Sequence, residues 1–194
     1  MKKLFLLAAI IMASTCAFAQ HAPGSLTLQP RIGLSVADFN NTEDTEARVG
    51  LVVGPEFEYQ ITDRFSLAFG VNYSQQGAEQ KDADLTYKMD YLTIPVVANF
   101  YLFKGFALKA GVQPGVNLSA KLDANGKKAD FADDAVKTFD VAIPVGLSYE
   151  FPFGLVLDAR YNLGVTKVFD EKIVDLDSKN LGFQFTLGYK FTLF

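Results

Sequence analysis

Glu56 and Glu58 are two carboxylates two residues apart, and paired acids can act as proton donor and acceptor. Asp133 and Asp134 form a second pair. His21 is the only histidine and Cys16 the only cysteine, too few ligands for a zinc site. His21 lies before the first apolar run, where chain ends are normally free. With it set aside and no cysteine beyond Cys16, no Ser–His or Cys–His device is expected. Asp123-Ala124-Asn125-Gly126 begins like a calcium loop but lacks the later acids and the closing Glu, so Asn125-Gly126 reads as a hairpin turn. The 18 Lys and Arg against 22 Asp and Glu lack the basic excess of nucleic-acid binders. No enzyme, no cofactor, no metal and no nucleic acid are therefore expected.

The elements that would position these residues alternate with period two. Val49, Leu51, Val53, Pro55, Phe57 and Tyr59 share one parity, with Arg48, Gly50, Gly54, Glu56 and Glu58 on the other. Similar runs start at Leu28, Phe65, Phe106, Phe139, Leu155 and Phe183. Between Leu85 and Phe103 the apolar parity changes near Tyr91-Leu92, which predicts a β-bulge. Successive side chains on a strand face opposite ways, so each run has one bulky apolar face and one small or polar face. The count is eight strands, an even number that suits a closed antiparallel up-and-down barrel.

The connections sort by length. Short ones fall at Thr62–Arg64, Lys104–Gly105 and Pro152–Gly154. Long polar ones run over Asn40–Thr45, Gln75–Asp84, Lys121–Lys137 and Phe169–Asn180. Short periplasmic turns and longer extracellular loops are the habit of a transmembrane β-barrel. The long stretches hold 13 of the 22 acids against 7 basic residues, so a partner meeting them meets an acidic face.

The N-terminus reads as an address. Lys2 and Lys3 precede the apolar run Leu4 to Met12, and Ala17-Phe18-Ala19 supplies a small-x-small cleavage site. Residues 1–19 are expected to be a signal peptide and 20–194 the barrel domain. Cys16 lacks the box of a lipid acceptor.

Which face meets lipid follows from volume. An eight-stranded interior is just wide enough for side chains to fill. Three or more Leu, Val, Ile, Phe or Tyr per strand would overfill it, whereas the polar parity is small. That parity carries Arg31, Arg48, Lys109, Arg160 and Lys190 against Glu56, Glu58, Asp140, Glu150 and Asp158. Five positive and five negative groups can pair in a narrow lumen, and buried charges survive only when paired. Aromatics gather at the short turns: Phe57, Tyr59 and Phe65; Tyr101, Phe103 and Phe106; Tyr149, Phe151 and Phe153; and Phe191 with Phe194 at the end. That is a girdle at a membrane interface.

Three segments carry a resemblance. Tyr91-Leu92-Thr93-Ile94-Pro95, Asp158-Ala159-Arg160-Tyr161 and Gly188-Tyr189-Lys190-Phe191 are similar to strands of the outer membrane protein β-barrel domain family, including its PorT-like small barrels. The resemblance implies a cell outer membrane location, and some members serve secretion and gliding machinery. The expected function is a barrel with a side-chain-filled lumen and a structural or interaction role through acidic extracellular loops, in secretion or adhesion. Its expected partners are outer-membrane lipid, the barrel-assembly machinery through the terminal Phe194, and a protein at the loops. The alternatives are a narrow porin-like conduit for ions or small solutes, and a soluble periplasmic barrel holding an apolar ligand.

Overall fold

The computed structural model describes residues 21–39, 45–80, 85–124, 127–130, 137–166 and 179–194. The expected signal peptide with Cys16, the Asp133-Asp134 pair and the Asn125-Gly126 turn lie outside these residues.

The strands are β1 (Leu26–Phe39), β2 (Thr45–Thr62), β3 (Phe65–Gly70), β4 (Asn72–Gln80), β5 (Leu85–Thr93), β6 (Val96–Phe103), β7 (Phe106–Ala124), β8 (Lys127–Asp130), β9 (Phe139–Glu150), β10 (Leu155–Gly164), β11 (Asn180–Tyr189) and β12 (Phe191–Thr192). They make eight spans, because β3 with β4, β5 with β6 and β11 with β12 are single spans interrupted briefly, and β8 is a short hairpin partner of β7. Pro95, which has no N–H to give a ladder, sits in the break between β5 and β6. All pairings are antiparallel, and β1 closes the ring by pairing with β2 on one side and with β11 and β12 on the other. Closure removes the open sheet edge that hydrocarbon would not tolerate. The two ends meet at the short-turn side, where Leu26 N donates to the Phe194 carbonyl and Leu193 N to the Leu26 carbonyl.

The sides of this sheet are inverted relative to a water-soluble barrel. Leu51, Leu67, Ile143 and Leu187 are 38 to 46% exposed on the outside, whereas Glu58 and Arg160 are 4% and 1% exposed within. Ile32, Val53, Phe69, Leu108, Val145 and Phe185 extend the outer apolar belt around the ring. At the short turns Phe103 stacks on Phe106, and Phe151 lies between Tyr149 and Phe153. These pairs place flat amphipathic or apolar groups at one rim of the belt, where headgroups meet hydrocarbon.

Three expectations are corrected. The parity of the Leu85–Phe103 span does not change: Met89 and Tyr91 point inward with Thr93, Val97 and Asn99. The register slip lies opposite, in β7, where Asp90 pairs with Ser119 but Tyr91 with Asn117, leaving Leu118 extra. Met89 and Tyr91 fit inside because Ala78, their buried neighbour from β4, is small. Tyr101, placed in the girdle by its position near a turn, is also inside, since buried Glu58 offers its hydroxyl an acceptor. The long polar connections are partly strand: β4 reaches Gln80, β7 reaches Ala124 and β8 adds Lys127–Asp130. Backbone ladders need no apolar side chains, so these extensions leave no hydrophobic alternation in the sequence.

Candidate functional site

Of the ten charged residues assigned to the lumen, Arg31, Glu56, Glu58, Lys109, Asp140, Asp158, Arg160 and Lys190 are buried, and Arg48 and Glu150 are half-buried. They come from β1, β2, β7, β9, β10 and the break after β11, each at an inward position of the pleat. They do not form one network. Eight of them divide into two groups, and two stand apart.

The middle group is centred on Glu56. Arg160 Nη2 donates to both Glu56 oxygens at 2.8 Å, and its Nε donates to Asp158 Oδ1 at 2.8 Å. Lys109 Nζ donates to Asp158 Oδ2 at 2.5 Å and to Glu56 Oε1 at 3.4 Å. Arg31 Nη1 lies 3.0 Å from Glu56 Oε2, but its hydrogens are not aimed at that oxygen, and its Nε donates to Asn72 Oδ1 at 3.3 Å. Four strands thus share one charge cluster across a space without bulk water. A charge-assisted bond is stronger than a neutral one, and in this low-dielectric setting each member also removes the desolvation cost of its partners.

The lower group, toward the short turns, is centred on Lys190. Its Nζ donates to Glu58 Oε2 at 3.0 Å and to Glu150 Oε2 at 2.7 Å. Glu58 Oε1 also accepts from Ser66 Oγ at 2.6 Å and from the Tyr101 hydroxyl. The middle group has one cation more than its acids, and the lower group one acid more than its lysine, so the two together are balanced.

His21, expected to be a free chain end, is held at this rim. Its Nε2 lies 2.9 Å from Glu150 Oε1 and its Nδ1 lies 3.3 Å from Thr192 Oγ1. The second oxygen of Glu150 is what the lysine leaves available, and it ties the segment before β1 to the barrel.

Arg48 and Asp140 are not brought into either group. Arg48 donates to the Gln76 carbonyl, and Asp140 accepts from the Thr166 hydroxyl and from Asn180 Nδ2 at 3.2 Å. Asp123 is ion-paired with Lys88 at 2.6 Å, so it is engaged within the sheet. The lumen also holds neutral polar side chains that no charge pattern marks, among them Ser66, Asn72, Tyr101, Gln113, Asn162 and Asn180. Their signal was their shared inward parity with the charges.

The family model for the outer membrane protein beta-barrel domain matches residues 18–170. No curated protein sequence matches the chain. The crystal structure of Neisserial surface protein A superposes with a TM-score of 0.58 at 17% identity, over 86% of this chain and 97% of that one. Ail, the attachment invasion locus protein of Yersinia pestis, superposes with a TM-score of 0.52 at 16% identity, over 87% and 99% of the two chains. Ail in complex with the heparin analogue sucrose octasulfate gives 0.54 at 15% identity over the same shares. At such identities the likeness is one of fold; the family model covers most of the chain, and with the closed ring and the inverted faces it carries one conclusion: the chain belongs to the outer membrane protein beta-barrel domain family and resides in the outer membrane.

Proposed function

We propose that the chain is an interaction barrel with a closed lumen: it is exported by residues 1–19, cleaved after Ala19, embedded in outer-membrane lipid, and recognises a protein through its long connections. It performs no catalysis in this reading. The observation that carries it is the pair of charge groups lying across the lumen, with Arg160, Lys109 and Arg31 on Glu56 and Asp158, and Lys190 on Glu58 and Glu150. Ions that pass through a narrow lumen need water or mobile counter-charges, and here the charges are committed to one another.

The chemistry of the partner follows from the connections left between the strands, residues 40–44, 81–84, 125–126, 131–138 and 165–179, with 10 acids against 5 basic residues. Such a surface steers basic protein partners and repels polyanions. Ail has been crystallised with a highly sulfated ligand; the charge of this chain's connections disfavours that ligand class and favours a basic protein surface, consistent with an adhesive or secretion-linked role. Phe194 is 74% exposed and available to the assembly machinery.

Planar-bilayer conductance of the refolded protein tests the closed lumen. Leak at the level of the bilayer alone is expected. Steady channel openings would replace this reading with the narrow conduit.

A further inference from the structure

We propose that the upper lumen holds one hard cation, coordinated by the carboxylate of Asp140 and the side-chain oxygens of Gln113, Asn162 and Asn180.

Asp140 is a buried carboxylate, 8% exposed. Among the described residues no Lys, Arg or His lies within ion-pair distance of it. Its partners are neutral donors, the Thr166 hydroxyl and Asn180 Nδ2. A buried charge without a counter-charge is unfavourable, and the other lumen acids with cationic neighbours do not share this condition.

Three amide oxygens of residues lining the same cavity are also unpartnered. Gln113 Oε1, Asn162 Oδ1 and Asn180 Oδ1 are buried and have no hydrogen-bond partner. The Asn180 amide is oriented by its nitrogen, which donates to Asp140 and to the Tyr91 hydroxyl, so its oxygen is the free atom. Gln113, Asp140, Asn162 and Asn180 line one cavity of about 10 Å³. They come from the neighbouring strands β7, β9, β10 and β11, where Gln113 pairs with Ala142, two residues from Asp140, and Asn162 pairs with Gly182, two residues from Asn180.

Among the residues that line this cavity the unpartnered buried atoms are all acceptors, whereas those of Arg31, Asn72 and Arg160 are donors. The cavity is at the lower limit for one water-sized occupant. A water has two hydrogens for four oxygen groups and leaves the carboxylate uncompensated. A cation serves all four. Oxygen-only ligands select a hard ion. One carboxylate balances one positive charge, so the site fits a monovalent ion of sodium's type.

The experiment is thermal unfolding of the refolded full barrel in detergent micelles, in choline chloride against sodium chloride at equal ionic strength. Sodium is expected to raise the midpoint by a few degrees, saturably. Asp140→Asn, which keeps the shape and removes the charge, is expected to fold and to lose the sodium dependence. Asn162→Ala is expected to retain it with at least a tenfold higher half-saturating concentration, which keeps the test open if the Asp140 variant fails to fold. Identical midpoints in choline and sodium for the unaltered protein would overturn the proposal, as would an undiminished sodium effect in Asp140→Asn. A response to calcium chloride but none to sodium would overturn the charge-balance assignment.

Discussion

Arg160 and Glu56 are 104 positions apart in the chain and meet across the barrel, with Arg160 Nη2 2.8 Å from each carboxylate oxygen. Both side chains are 1% exposed. One is on β10 and the other on β2, strands that do not pair, so their bond spans the lumen rather than following a ladder. Removing the arginine leaves Glu56 with Arg31 and Lys109 but leaves Asp158 with only its lysine. Arg160→Ala should lower stability by about 3–5 kcal/mol, measured by urea unfolding in lipid vesicles, because it removes four charge-assisted hydrogen bonds from two buried carboxylates. A double-mutant cycle with Glu56→Gln should return a coupling energy of about 1–3 kcal/mol. Additive single effects would show that the contact carries no energy.

Tyr101→Phe removes the hydroxyl that donates to Glu58 and accepts from Lys190 Nζ at 3.4 Å, without changing packing. Glu58 keeps Ser66 and Lys190 but loses a donor to a buried charge. The expected loss is about 1.5–3 kcal/mol in the same unfolding assay. A neutral result would place the hydroxyl in water and return Tyr101 to the membrane interface.

Leu187 tests the inverted faces. It sits between Phe185 and Tyr189 on the exposed face of β11, at 46% exposure. Leu187→Arg should destabilise the barrel in bilayers by about 2–4 kcal/mol, because a charge at the middle of the belt faces hydrocarbon. The same change would be close to neutral for an exposed position in water, so the sign of the lipid environment is read directly.

Gly105 tests the short turn between β6 and β7. Its φ is +78°, and a Cβ there would stand 2.3 Å from the Glu150 carbonyl oxygen. Gly105→Ala combines a left-handed backbone with that clash and should lower stability by about 1–2 kcal/mol or more. Slower folding into vesicles, read by the heat-dependent gel shift, should accompany it.

The alternation of large apolar with small or charged residues was legible in the sequence because a strand has a period of two, and two unlike solvents on its faces force unlike side chains. The volume argument then oriented the faces, since eight strands enclose too little space for every Leu, Phe and Val. What alternation could not read was any position where the lumen itself accepts bulk. Met89, Tyr91 and Tyr101 are large residues on the inner face, allowed there by the small Ala78 and by polar partners contributed from strands distant in the chain. Polar strand ends, such as Gln75–Gln80, were equally invisible, because neither face carries a run of bulky apolar residues.

The sequence by itself determined the class of fold and the alternation that sets charged and bulky apolar residues on opposite faces, since both depend on local period and composition. Only the tertiary structure decided which of those charges meet: that Arg160 reaches Glu56, that Lys190 bridges Glu58 and Glu150, and that Asp140 is left without a cation. The physical reason is that pleat parity fixes whether a side chain enters the lumen, whereas strand register and ring closure fix its height there, and a contact across the lumen requires equal height.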